Sequence, residues 1–74
     1  MISEFAFILV DSTSQAIRIE KTLNGQEITC KLVPVPRHLS SDCGVCVRIL
    51  FEDLSKTRVL ITDQHLGFQS IEVA

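Results

Sequence analysis

The sequence predicts an α+β fold, a ferredoxin-like split βαβ sandwich of order βαββαβ, with a four-stranded antiparallel sheet and two helices on one face. Three observations carry it. A run that is apolar on both faces, Glu4 to Val10, leads into a capped amphipathic helix. Two alternating segments, Ile28 to Val33 and Gly44 to Phe51, occupy the middle of the chain. A segment of helical length, Ser55 to Gly67, precedes a last strand at Phe68 to Val73.

Taken in order, Glu-Phe-Ala-Phe-Ile-Leu-Val at 4–10 has the doubly apolar pattern of a central strand with at least one face well covered. Ser12 and Gln15 then stand at capping-box spacing, which starts a helix at about Thr13 and carries it to Asn24. Ala16, Ile19, Glu20 and Leu23 share its inward stripe, Ile17 flanks that stripe, and Gly25 suits the left-handed position past the helix end. From Ile28 to Val33, Ile28, Cys30 and Leu32 alternate with Thr29 and Lys31, and Pro34 and Pro36 end this half-exposed strand. In Gly44 to Phe51, Val45, Val47, Ile49 and Phe51 alternate with Cys46, Arg48 and Leu50. Ser55 to Gly67 suits a helix capped by Ser55, although Arg58 to Thr62 alone has strand character, so a hairpin from Gly44 to Thr62 is the competing arrangement. Phe68 to Val73 is expected at a sheet edge. The strands should lie in the spatial order four, one, three, two.

Size and composition restrict what such a fold does. Its 74 residues suffice for one domain, 1–74, with little chain left over to enclose a substrate. The 46% hydrophobic and 22% charged content is that of a folded globular chain, not a disordered one. Seven basic residues against nine acidic ones, scattered along the sequence, form no nucleic-acid-binding stripe. No apolar run is long enough for a membrane span, and no secretory signal pattern opens the chain. A cytoplasmic protein is expected, and in that reducing setting three cysteines are expected to stay as thiols. Pairing through the second or last strand would allow a homo-oligomer.

One segment, Pro34 to Gly44, is not explained by folding alone. A buried connection has no need of two prolines, an Arg37-His38 pair and a Ser40-Ser41-Asp42 run, and a solvated loop has no need to end on a thiol. Cys43 is therefore the candidate reactive group. The expected topology sets Cys43 and Gly44 beside Ser12, Thr13 and Ser14 at a helix amino terminus, where unpaired N–H groups and the helix dipole favour an anion such as a thiolate. Arg37 and His38 add positive charge from the loop, and His65, at the end of the second helix, approaches the same rim. Gly44 leaves room for a group bound to the sulfur. The prolines restrict the loop.

Each of these features also has a plain structural role. A cysteine at a strand start is commonly an inert buried residue, and Cys30 and Cys46 fit that description. Cys43 and Cys46 match Cys-x-x-Cys, but residues three apart in a strand point to opposite faces, so a disulfide or shared metal would need a local turn at Gly44. A zinc site from these two with His38 and His65 lacks a second ligand pair at the usual spacing, and no metal is expected. Helix capping explains Ser12 to Ser14 better than nucleotide binding, because no glycine-rich loop or following Lys-Ser/Thr is present.

Phe-Ile-Leu-Val-Asp-Ser-Thr-Ser-Gln-Ala at 7–16, Glu20 and Leu23, Leu-Val-Pro-Val-Pro-Arg at 32–37, and Ser-Ser-Asp-Cys-Gly at 40–44 together resemble the selenium/sulfur carrier-like family of small bacterial proteins. The specific part is Val-Pro-x-Pro-Arg followed by Ser-x-Cys-Gly. The resemblance implies that Cys43 holds sulfur or selenium as a persulfide or perselenide, with no other cofactor, and exchanges it with donor and acceptor proteins. It also favours a helix at Ser55 to Leu66. Cys46 departs from the family pattern and leaves open release of the chalcogen by disulfide formation. A carrier or accessory protein is then expected rather than a stand-alone enzyme. The alternative from another class is a non-catalytic interaction or ligand-sensing module in which Cys43 is structural.

Overall fold

The computed structural model describes residues 4–36 and 44–73. Its elements are β1 (Phe5–Leu9), α1 (Thr13–Gly25), β2 (Cys30–Pro34), β3 (Val45–Leu50), a single 3-10 turn (Phe51–Asp53), α2 (Leu54–Asp63) and β4 (Ser70–Val73). The sheet has the order β2-β3-β1-β4, with every neighbouring pair antiparallel. This is the ferredoxin-like arrangement, and β1 lies inside the sheet, as its doubly apolar pattern requires.

The register sorts the two faces. Ala6 pairs with Ile49 and Ile8 with Val47, while Cys30 and Leu32 meet Ile49 and Val47 from the other side. These residues, except the partly buried Leu32, join Val10, Ala16, Ile19, Leu23, Ile28 and Ile61 in the main buried core beneath the helices. The opposite face is also apolar along one strip: Phe7, Leu9 and Cys46 are buried there, with Phe5, Val33 and Val35 packed against them. Lys31 and Arg48 oppose each other on this face, a like-charge pair that disfavours the ladder. Arg48 offsets part of that by lying over the Phe5 ring, 4.4 Å from its centroid.

Helix ends depart from the sequence expectation in an instructive way. Gly25 is the last residue of α1, and the left-handed residue is Glu27, at φ 62°. Leu23 accepts from the Ile28 N–H at 2.9 Å and Asn24 from the Glu27 N–H at 3.1 Å, the two bonds of a Schellman motif. Its hydrophobic contact is between Leu23 and Ile28, both in the core. Two residues are thus spent on the cap beyond the expected helix end, which is why β2 begins at Cys30 and not at Ile28. Pro34 is not a breaker but the last ladder residue, opposite Val45, tolerated because β2 is an edge.

The second helix repeats the device. His65 N–H bonds Thr62 O at 3.3 Å and Leu66 N–H bonds Ile61 O at 3.0 Å, with His65 left-handed at φ 54°. Ser55 is not its cap: the 3-10 turn carries the chain into α2 two residues earlier, with Asp53 in the cap position and its side chain making no capping bond. The hairpin alternative for Arg58 to Thr62 fails because a strand would put Val59 and Ile61 on one face. Ile61 is buried while Val59 is 67% exposed, the helical outcome, with Thr57 and Ile61 turned inward together.

Candidate functional site

The site expected from sequence lies where the carboxyl end of β1, the start of α1 and the start of β3 meet. Leu9 pairs with Cys46, and carrying that antiparallel register two residues further brings Asp11 level with Gly44. Helix α1 opens directly after, with Ser12 as its extended N-cap at φ −150° and ψ 158°. Ser12 Oγ accepts from the Gln15 N–H at 3.3 Å. The reciprocal bond of a standard capping box goes one residue earlier than expected: Gln15 Oε1 accepts from the Asp11 N–H at 2.9 Å. Thr13 and Ser14 form the first turn, at the positive end of the helix dipole.

Gly44 closes the other side of the rim. Its carbonyl accepts from the Val35 N–H at 3.2 Å, so the base of the Pro34–Gly44 connection is tied by a backbone bond beyond the β2–β3 ladder. Gly44 has φ 78°, which a residue with a side chain rarely adopts, and a Cβ placed there would meet nothing within 4 Å. Glycine is required here by backbone conformation, not by crowding. Cys43 itself lies outside the described residues, as do Arg37 and His38.

The turn after α2 supplies a neighbour that sequence reasoning missed. Gln69 N–H bonds Leu9 O at 2.6 Å, and a Cβ on Gly67 would come within 2.8 Å of Gln15 Nε2. Gly67 thus brings this turn close against the Gln15 side chain that holds the start of α1. The sequence signal is only a glycine just past a helical segment, which does not announce this contact. The role of ending α2 belongs to the backbone of His65, which is exposed.

The two described cysteines sit on opposite sides of the sheet. Cys30 is on the helical side, where its thiol donates to Glu20 O and Asn24 Oδ1, each at 3.6 Å. Burial, with a smaller contribution from the Glu20 carboxylate, pushes the Cys30 pKa up to about 11. It is protonated at neutral pH and a poor nucleophile, as expected of an inert core thiol. Cys46 is fully buried on the helix-free side, between Val33 and Leu9 in the register. Among the described residues no group of three or more His, Cys, Asp or Glu side chains gathers in a metal-binding arrangement. No described helix is long and apolar enough to cross a membrane. An open groove of about 470 Å³ between the end of α1 and α2, lined by Glu27, Asp53, Lys56 and Val59 among others, lies at the opposite end of α1 from the rim.

Fold and rim together define a small α+β module of the ferredoxin-like type, with a tied loop base delivered to a helix amino terminus. Residues 5–72 match the family model described as "Putative Se/S carrier protein-like". The chain belongs to this family, and the match takes in nearly its whole length, including both halves of the rim. No curated protein and no solved structure matches it.

Proposed function

We propose that this chain is a sulfur or selenium carrier that holds the chalcogen on Cys43 as a persulfide or perselenide. Family membership over residues 5–72 is the observation that carries this reading. The rim geometry supports it: the residue following Cys43 is level with Asp11, immediately before a helix amino terminus suited to a thiolate or a persulfide anion. Arg37, Gly44 and the backbone of Ser12, Thr13 and Ser14 form the anion site in this proposal.

Loading and delivery are both thiol exchange. The Cys43 thiolate attacks the outer sulfur of a donor persulfide, the donor S–S bond breaks, and the donor leaves as a thiolate. The outer sulfur of the resulting Cys43 persulfide is then attacked by an acceptor thiolate, which regenerates the Cys43 thiolate. No net oxidant or reductant is consumed, and the same exchange runs with selenium. The carrier works in a reducing compartment, the bacterial cytoplasm, with donor and acceptor proteins as partners. A second exit in this proposal has Cys46 attack the inner sulfur of Cys43 and expel hydrosulfide. The disulfide so formed must then be reduced by an external dithiol.

Intact-mass measurement under non-reducing conditions, after incubation with a cysteine desulfurase and cysteine, tests the proposal. The expected adduct is one sulfur atom, absent in Cys43→Ser and retained in Cys30→Ser. No adduct on the native chain, or an undiminished adduct in Cys43→Ser, overturns it in favour of a module with a structural Cys43.

A further inference from the structure

The two edges of the sheet are not equivalent. β2 carries Lys31 and ends on Pro34, a cation and a residue without an N–H, both of which discourage a further strand from pairing. β4 carries neither. Among the described residues β4 pairs with β1 alone, so one side of its backbone presents unpaired N–H and C=O groups. The apolar layer also runs out to this edge without closing: Ile71 packs on the main core half-buried, Val73 is 47% exposed, and Phe68, just before the strand, is 41% exposed.

We propose that β4 pairs antiparallel with β4 of a second copy of this chain, joining two four-stranded sheets into one about a two-fold axis normal to the sheet. Such an axis keeps the helices of both copies on one side, so a residue opposes only residues of its own face. Ile71 and Val73 share the helical face with their partners Ile8 and Ala6, whereas Ser70 and Glu72 share the other with Leu9 and Phe7. Parity then leaves few registers. Centring the pairing on Glu72 sets two carboxylates opposite each other, which is unfavourable. Centring it on Ser70 pairs Ser70 alone, because Ile71, Glu72 and Val73 then face residues that precede β4. Centring it on Ile71 sets Ile71 against its own copy, continues the two cores into one, and places each Glu72 opposite a Ser70 hydroxyl.

This pairing does not depend on the thiol chemistry and is tested on the full chain by sedimentation equilibrium from micromolar to millimolar concentration. The expected result is a concentration-dependent dimer. Ser70→Glu, which faces Glu72 twice per dimer, should weaken it by roughly three- to tenfold in Kd, and Ser70→Lys should tighten it by a similar factor. Adding Glu72→Lys to Ser70→Glu should reverse that loss and tighten the dimer as Ser70→Lys does, with circular dichroism showing all variants folded. A monomer at every concentration overturns the proposal, as does a dimer whose Kd ignores the charge at position 70 or responds with the opposite sign.

Discussion

Exchanging the roles of Gly25 and Glu27 tests how α1 ends. Glu27 occupies a left-handed conformation, φ 62°, at the residue that closes the Schellman motif. That conformation costs a residue with a Cβ about 1–2 kcal/mol, and a glycine there gives back about 0.4–1 kcal/mol through the greater freedom of its unfolded chain. Glu27→Gly should therefore stabilise the protein by about 0.5–1 kcal/mol. Removing a carboxylate from the negative end of the helix dipole acts in the same direction. Gly25 is helical, and an added Cβ there would meet nothing within 4 Å. Gly25→Ala should then stabilise by about 0.5 kcal/mol, below the full mid-helix difference because the position is terminal. Urea denaturation monitored by circular dichroism at 222 nm reads both, and in a domain of this size each kcal/mol moves Tm by about 4–8 °C. If Gly25 were the left-handed residue, as its place in the sequence suggests, Gly25→Ala would destabilise and Glu27→Gly would gain nothing. Observing that pair of signs refutes the assignment.

Other consequences concern buried polar groups and the candidate thiol. Thr57 Oγ1 is buried without a hydrogen-bond partner, so Thr57→Val, close in shape and similar in helix propensity, should stabilise by about 1 kcal/mol; a loss of stability in thermal melts would mean the hydroxyl is satisfied. Because the folded pKa of Cys30 lies above its unfolded value, this group's contribution to stability is present in full below about pH 9 and is lost as pH rises through about 11. Urea melts from pH 8 to 11 should show that fall, and Cys30→Ala should flatten it. Native-state alkylation at pH 8 should correspondingly spare Cys30. If Cys43 is the carrier thiol, the same experiment should modify Cys43 first, read by peptide mass mapping.

The rim combines features of different legibility. The helix start was readable because Ser12 and Gln15 act within one turn of chain, and the cap forms between neighbours. The strand order followed from alternating patterns and short connections, which leave few ways to bury both helices on one sheet face. The partnership of Gln15 with Gly67 joins residues far apart in sequence, and nothing local to either announces it. Gly25 is misleading for a related reason. Glycine tolerates left-handed backbone but does not demand it, and in both helices the core contacts of Ile28 and Leu66 fixed where the chain turned.

By itself the sequence determined the class of fold, the central place of β1, the start of α1 and the distinction of Cys43 from its fellow cysteines as a candidate. Periodicity and capping are properties of neighbouring residues, and these conclusions needed nothing more. Only the tertiary structure decided that 58–62 is helix, because burial of Ile61 with Thr57 outweighs the strand preference of β-branched residues. It alone decided that Cys30 and Cys46 lie on opposite sides of the sheet, that Glu27 and His65 take the strained positions, and that Gly44 is tied to Val35. Each depends on pairing register or on packing between distant segments, and the free energy that selects among the options is released only when those segments meet.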